Sequence, residues 1–327
     1  MKLDNLIALT RAKLLNTPTI SSFLDVCFEA KDIKRGDLFF AYENTQIAEA
    51  VENGAYVVIF SGEVNISDSE IAWLKVESLD MALKSLARFM VIDKELEYYE
   101  ANEIELKLAQ NLSTTPSFSA ISGTPKDIFL KLNQLESKSI VLCLQKDSYI
   151  FPSAKELPLA KEHSIIIEQT LFETSFIYRD NFYERVLISP LFMSYLDNIL
   201  DFLDTKNIPY KLKNFTNLGH FEAIFVNNNL EVKNFGSSQK VLIFEQDTTL
   251  FENQLEFLKQ NAPWAKSVFV LPASMSKKDE HIYTYESKSE ILDILKKESF
   301  HFALIIGCDK SILESSLPSQ KQLTFEF

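Results

Sequence analysis

Glycine is scarce in this sequence, at seven of 327 residues, or about a third of its usual share of roughly 7%. No two glycines are close enough to form a Gly-x-Gly. Phosphate-cradling loops and the dinucleotide fingerprint both need several glycines, because backbone amides must approach phosphate without an intervening Cβ. The sequence therefore contains no complete site of either kind.

Cysteine is also rare, and Cys27, Cys143 and Cys308 lie more than 100 residues apart. An odd number of distant cysteines excludes a disulfide framework and predicts reduced thiols in a cytoplasmic protein. The four histidines never stand four residues apart or beside a cysteine. Because metal-binding histidines and cysteines are usually closely spaced, no metal site is predicted.

Positive charge is in the minority, since 33 Lys and Arg stand against 46 Asp and Glu and the formal net charge is −13. Phosphates repel a chain of this sign, which excludes non-specific nucleic-acid binding and docking on an anionic membrane. The longest stretch without a charged residue, 108–125, holds seven Ser or Thr and two Pro. Such a segment is too polar for the hydrocarbon core of a bilayer, so no membrane span is expected.

Short apolar runs alternate with helical patterns in the first third of the chain. Strands are predicted over 38–42 and 55–60, with a helix between them over 46–52. Apolar spacing predicts a further helix over 4–15, and the strongly charged segment 94–112 is another helix candidate. This alternation is typical of an α/β fold.

The same alternation continues in the middle of the chain. One helix is predicted over 126–136, and short strands are predicted over 118–121, 139–144 and 148–151. The middle segment is therefore a second α/β region.

The C-terminal half ends in a regular series of elements. A hairpin is predicted over 221–235 around Asn227–Asn229, because asparagine tolerates the left-handed backbone. The series that follows has strands over 241–244, 267–271 and 302–306 and helices over 250–260 and 287–297. Right-handed crossovers make such a βαβαβ series parallel.

A chain of this length has roughly two domains, or three, at about 150 residues each. We expect a small N-terminal α/β domain over 1–95, a central α/β segment over 96–160, and a C-terminal α/β domain over 161–327. The first boundary is placed near 95–115, ahead of a Ser, Thr and Pro stretch.

Several acidic residues and one histidine form a candidate crevice in the last domain. Glu245, Asp247 and Asp309 follow the carboxyl ends of predicted parallel strands, where ligands bind in open α/β sheets. Three carboxylates suit a hard divalent cation, although acidic loops also cap helices. His220 and Glu222 stand at the entry to the hairpin, where such a pair either transfers protons or fixes a turn.

Residues 29–41 read Glu-Ala-Lys-Asp-Ile-Lys-Arg-Gly-Asp-Leu-Phe-Phe-Ala, and residues 47–58 read Ile-Ala-Glu-Ala-Val-Glu-Asn-Gly-Ala-Tyr-Val-Val. This pattern resembles the N-terminal domain of the Mur ligases, the ATP-dependent amide ligases that extend the peptide of UDP-N-acetylmuramic acid. The resemblance covers about residues 20–90. It implies substrate binding by Lys31, Gly36 and Asp37. The family's Asp-Ser-Arg is replaced here by Glu29-Ala30-Lys31, so the bidentate guanidinium is lost.

Residues 118–128 stand where a Mur ligase has its ATP loop, and they resemble a degenerate form of it. The resemblance implies a nucleotide-binding remnant of Gly123, Thr124 and Lys126. Asp127 replaces the family's magnesium-binding hydroxyl, and Pro125 removes an amide donor. An ordinary strand–turn–helix connection has the same appearance.

The resemblance implies a protein of peptidoglycan precursor metabolism, and the damaged loop favours a non-catalytic binding or regulatory role. The expected partner is a UDP-N-acetylmuramoyl peptide or a cell-wall enzyme. One alternative is an active D-alanyl-D-alanine-adding ligase that uses Lys126, and only then are ATP and Mg expected as cofactors. Another is a protein-interaction module that uses the acidic helix 94–107 or the aromatic C-terminal half.

Overall fold

The structure is a computed structural model that describes residues 1–112, 115–212, 215, 218–275 and 281–314. The chain divides into two compact units. Unit 1 comprises Met1–Leu106 and Ser113–Leu157, and unit 2 comprises Lys107–Leu112 and the chain from Pro158 onward. None of the described helices is long and apolar enough to cross a membrane.

The first sheet of unit 1 has five strands in the order β1-β5-β4-β3-β2. All neighbouring pairs are parallel except β1 with β5. Its elements are α1 (Leu3–Thr10), β1 (Lys13–Leu14), β2 (Val26–Cys27), β3 (Leu38–Ala41), α2 (Ile47–Glu52), β4 (Val57–Phe60), β5 (Ala72–Lys75) and α3 (Leu79–Asp93). Every residue of β3 and β4 is buried, as expected of central strands with both faces covered.

The second sheet of unit 1 is parallel throughout, in the order β7-β8-β6-β9. The elements of this region are β6 (Glu97–Glu100), α4 (Glu103–Leu112), β7 (Phe118–Ala120), α5 (Pro125–Gln134), β8 (Ile140–Cys143) and β9 (Lys155–Glu156), and the division between the two units falls within α4, after Leu106. Helix α3 packs on α5. Leu83 and Leu86 of α3 belong to the same buried cluster as Phe129 and Leu132 of α5, so the two sheets share one core.

Unit 2 contains two sheets. Its elements are β10 (Ile165–Gln169), β11 (Thr174–Tyr178), β12 (Asn181–Val186), α6 (Met193–Thr205), β13 (Glu222–Val226), β14 (Lys240–Glu245), α7 (Phe251–Asn261), β15 (Ser267–Pro272), β16 (Ile282–Tyr285), α8 (Lys288–Lys297), β17 (Phe302–Ile306) and α9 (Ser311–Glu314). Strands β10, β11 and β12 form an antiparallel sheet. The other sheet has the order β13-β14-β17-β15-β16 and is parallel apart from β13. The predicted α/β class and the parallel last series are confirmed.

The helix predicted over 4–15 is too long. Helix α1 ends at Thr10, because Arg11 has a left-handed backbone with a φ of 54°. Lys13 and Leu14 then form a strand that pairs with β5. The apolar residues at the end of the predicted helix therefore extend the sheet instead.

The single helix predicted over 94–112 is also wrong, because β6 occupies 97–100 and only 103–112 is helical. Glu95 turns the chain with a φ of 51°. Strand β6 is paired on both sides, with β8 and with β9. Two long-range ladders thus override the helical pattern of a charged segment.

Two predicted strands are absent from the described residues. The second arm of the hairpin is reduced to a bridge between Val226 and Val232, and β13 pairs with β14 instead. Residues 148–151 lie in a turn, where the carbonyl of Asp147 accepts the backbone amides of Ile150 and Phe151.

Candidate functional site

The loop that resembles an ATP site is closed by a capping box at the start of α5. The hydroxyl of Thr124 accepts the backbone N–H of Asp127 at 3.2 Å. In return, the backbone N–H and the hydroxyl of Thr124 donate to Oδ2 of Asp127 at 2.9 and 2.7 Å. This reciprocal arrangement satisfies amides that an α-helix otherwise leaves without partners at its N-terminus.

The carboxylate of Asp127 therefore occupies the position that an anion takes at a helix N-terminus. The hydrogen bonds from Thr124, led by the one from its side chain, lower the pKa of Asp127, so the group is charged at neutral pH. Gly123 has a φ of 131°, and a Cβ built there would lie 2.8 Å from Oδ2 of Asp127. A phosphate entering this loop meets the negative charge of Asp127, and the backbone amides of Thr124 and Asp127 are already engaged.

The lysine of the loop is bound within unit 1. Its Nζ lies 3.0 Å from Oε1 of Glu29 and 5.2 Å from the ring centroid of Phe28. The hydrogen bond from Lys126 lowers the pKa of Glu29. Glu29 is the first residue of the segment that replaces the family's Asp-Ser-Arg, so the lysine of the loop remnant contacts a position where the sequence departs from the family pattern.

The three residues implied in substrate binding differ in solvent exposure. Lys31 is exposed on the short 3-10 turn Ala30–Asp32. Asp37 is buried, and its carboxylate accepts the backbone amides of Lys34 at 2.9 Å and Asp25 at 3.3 Å. Gly36 is buried with a φ of 104°. Asp37 and Gly36 shape the turn before β3, and Lys31 is left facing solvent.

In unit 2, Glu245 is a fully buried carboxylate at the end of β14. Four groups surround it. Oε1 lies 2.8 Å from Nδ1 of His220 and accepts the backbone N–H of Asp247 at 2.9 Å. Oε2 accepts the backbone N–H of Phe221 at 3.1 Å and the side-chain amide of Gln254 at 2.5 Å. Such complete hydrogen bonding is what makes a buried carboxylate tolerable.

His220 is held by this carboxylate with one nitrogen left over. Because Nδ1 faces Glu245, it donates, and Nε2 carries the lone pair in the neutral ring. Nε2 is buried without a partner among the described residues. His220 also contributes to the wall of a cavity of about 250 Å³, with Ser189 and Phe192. A carboxylate-oriented histidine with a free nitrogen is suited to proton transfer.

The other crevice candidates each contact a partner outside the hydrogen bonds to Glu245. Glu222 pairs with Lys310 at 2.6 Å. Asp247 accepts the backbone N–H of Thr249, and Asp309 accepts that of Ser311. Within the described ranges, no group of three or more His, Cys, Asp or Glu is arranged to hold a metal ion.

Two parts of these sites were missed from sequence. Thr124 and Asp127 stand three residues apart, and that spacing is a readable capping-box signal. Gln254, which is fully buried against Glu245, carries no such signal, because only the fold brings α7 to the end of β14.

No protein-family model matches the sequence, and no curated protein matches it. Solved structures do match. A crystal structure of MurF from Acinetobacter baumannii aligns with a TM-score of 0.56 at 10% identity and covers 96% of this chain and 98% of its own. A structure of UDP-N-acetylmuramoylalanyl-D-glutamyl-2,6-diaminopimelate–D-alanyl-D-alanyl ligase from the same organism aligns with a TM-score of 0.51 at 10% identity and covers 96% of both chains. The chain therefore has the fold of the Mur ligases.

Proposed function

We propose that this chain is a Mur-ligase-fold protein of peptidoglycan precursor metabolism that binds precursor or regulates a cell-wall enzyme without ATP-dependent catalysis. The observation that carries the proposal is the capping box, in which Asp127 takes the place of a phosphate. The fold supports the link to precursor metabolism. The engagement of Lys126 by Glu29 supports the loss of nucleotide chemistry.

The charge balance of the loop favours this role over an active ligase. A nucleotide phosphate needs free amide donors and cationic partners. Here the amide of Thr124 donates to Asp127, and the ammonium of Lys126 contacts Glu29. An ATP-dependent ligase has to break both contacts and place phosphate beside the carboxylate of Asp127.

The first test is turnover by the purified full-length chain. The assay measures phosphate release from Mg-ATP in the presence of a UDP-N-acetylmuramoyl tripeptide and D-alanyl-D-alanine, with Acinetobacter baumannii MurF as the positive control. We expect no release above the background without protein. Release that is lost in Lys126→Ala would overturn the proposal and establish the ligase alternative.

The second test is a thermal-shift titration, because a ligand that binds only the folded state raises its stability. We expect a UDP-N-acetylmuramoyl peptide to raise the unfolding temperature and Mg-ATP to leave it unchanged. The shift should decrease in Lys31→Ala and persist in Lys34→Ala, which removes an exposed lysine from the same segment. No shift with the precursor would reject precursor binding and leave contact with another protein as the role.

A further inference from the structure

A second cavity of unit 2 adjoins the cavity beside His220, with which it shares Phe172 and Phe235, and it extends to the amino edge of the five-stranded sheet. It has a volume of about 600 Å³. Val241 near the start of β14 and Phe302 at the start of β17 form part of its wall, together with Trp264 ahead of β15. Glu245 ends β14 at the carboxyl edge. We call this cavity the amino-edge pocket.

Five phenylalanine and tryptophan rings line the amino-edge pocket. Phe172 packs against Phe225 and Phe302 with ring centroids 6.2 and 6.3 Å apart. Phe235 lies 4.8 Å from Phe225, and Trp264 lies 6.1 Å from Phe302. Edge-to-face packing of this kind holds the rings in place and leaves apolar faces for a further ring.

Two of these rings are unusually open to solvent. Trp264 is 72% exposed and Phe235 is 48% exposed. Large aromatic side chains bury about 150–250 Å² each when packed. Two exposed rings at one pocket therefore forgo much of the favourable free energy of burying apolar surface. An unoccupied aromatic surface beside a concave wall is characteristic of a ligand site.

The described lining of the amino-edge pocket supplies no lysine or arginine to bind a phosphate. The one carboxylate, Glu173, is paired with Arg185 at 3.1 Å. An anionic ligand finds no cation here, and an organic cation finds a carboxylate that is already neutralised.

Polar groups of the wall suit the heteroatoms of a ring. His301 accepts the backbone N–H of Lys266 at Nδ1 over 2.9 Å, so its neutral ring carries the proton on Nε2. The indole N–H of Trp264 and the amide of Gln239 have no hydrogen-bond partner in the described part of the chain. Donors and acceptors are thus present beside the aromatic faces.

We propose that the amino-edge pocket binds an uncharged planar heteroaromatic ligand of nucleoside size. The volume falls within the range of roughly 300–1,000 Å³ for small-molecule sites. The aromatic rings supply stacking, and the neutral polar groups supply orientation. This inference is independent of the proposed function, because the nucleotide-loop remnant is in unit 1 and neither His220 nor Glu245 lines the pocket.

The protein carries its own reporter for the test. It has two tryptophans, and Trp73 is fully buried while Trp264 is 72% exposed. When the fluorescence is excited at the red edge of the indole band, its quenching by acrylamide therefore reports chiefly on Trp264. The probes are adenosine, guanosine, uridine and cytidine, added separately to the full-length protein. We expect at least one to change the emission saturably and to lower the acrylamide quenching constant about twofold or more, because a stacked ring shields the indole.

Variants separate the pocket from other surfaces. In Phe235→Ala we expect the affinity for that nucleoside to fall at least about fivefold, since a stacking partner contributes about 1–3 kcal/mol per base and about 1.4 kcal/mol corresponds to tenfold. Phe182→Ala removes a comparably exposed phenylalanine from β12, outside the pocket, and should leave the affinity unchanged. The 5′-monophosphate should bind at least about fivefold more weakly than the nucleoside, because an uncompensated charge costs about 1–3 kcal/mol or more.

Three results would overturn the inference. The first is an absence of saturable change with all four nucleosides. The second is equal affinity in Phe235→Ala, which places the binding elsewhere. The third is protection of Trp264 by N-acetylphenylalaninamide and by none of the nucleosides, which assigns the pocket to an aromatic side chain of a partner protein.

Discussion

The capping box between Thr124 and Asp127 makes a quantitative prediction about stability. Thr124→Ala removes two of its three hydrogen bonds, Asp127→Ala also removes two, and the double variant removes all three. At about 0.5 kcal/mol for each exposed bond, the low end of the usual range, the expected losses are about 1, 1 and 1.5 kcal/mol. The two substitutions should therefore be non-additive by about 0.5 kcal/mol.

The assay is urea unfolding of the full chain in a Trp264→Phe background, so that the remaining fluorescence comes from Trp73 of unit 1. This choice matters because two compact units need not unfold in a single transition. Glu136→Ala removes an exposed carboxylate beyond the end of α5 and should change stability by less than about 0.5 kcal/mol. Single effects that add to within about 0.3 kcal/mol would refute the reciprocal bonding.

The pH dependence of the same variants has a definite sign. Hydrogen bonds from Thr124 lower the pKa of Asp127 in the folded state. Its contribution is therefore complete above the ordinary aspartate pKa of about 3.9 and is lost as the pH falls through the lowered value. The stability difference between the wild type and Asp127→Ala should shrink over that acidic window. A constant difference between neutral and strongly acidic pH would contradict the account.

Three other predictions concern buried and capping groups. The Nζ of Lys94 donates to three carbonyls at the end of α5, so Lys94→Met should lower the urea stability of unit 1 by about 1–2 kcal/mol, and no change would refute the contact. Glu245→Gln places an amide donor among four donors and should destabilise unit 2 by about 3 kcal/mol, measured by Trp264 fluorescence, with unaltered unfolding as the contrary result. Burial raises the pKa of Cys143 to about 12 and of Cys308 to about 11, so both thiols should resist a disulfide reagent near pH 8 until the protein unfolds, whereas prompt labelling of the native protein would contradict this.

Local signals in the sequence predict the strands and helices that depend on near neighbours. The apolar run ending at Phe60 forms β4, and Ser78 caps α3 by accepting the backbone N–H of Met81. Strand β6 was missed because its partners in β8 and β9 lie 43 and 56 residues later in the chain. Pairing at that distance leaves no periodic mark on a charged segment.

The candidate sites show the same contrast between local contacts, which the sequence predicts, and long-range contacts, which it does not. The spacing of Thr124 and Asp127 makes their contact readable from sequence. The contact between His220 and Glu245 joins residues 25 positions apart, and their common cluster with Gln254 depends on how α7 packs beside β14. These side chains form one hydrogen-bond network only because the fold brings them together and buries them, and neither effect can be read from the separate residues.

The most direct test of the central claim is isothermal titration calorimetry of the wild-type protein with Mg-ATP. The carboxylate of Asp127 and the pairing of Lys126 with Glu29 oppose the binding of a phosphate in the loop. We therefore expect no saturable heat at any concentration at which Acinetobacter baumannii MurF gives a complete isotherm. Saturable binding to the wild type that disappears in Lys126→Ala would show that the loop accepts nucleotide and would contradict the account.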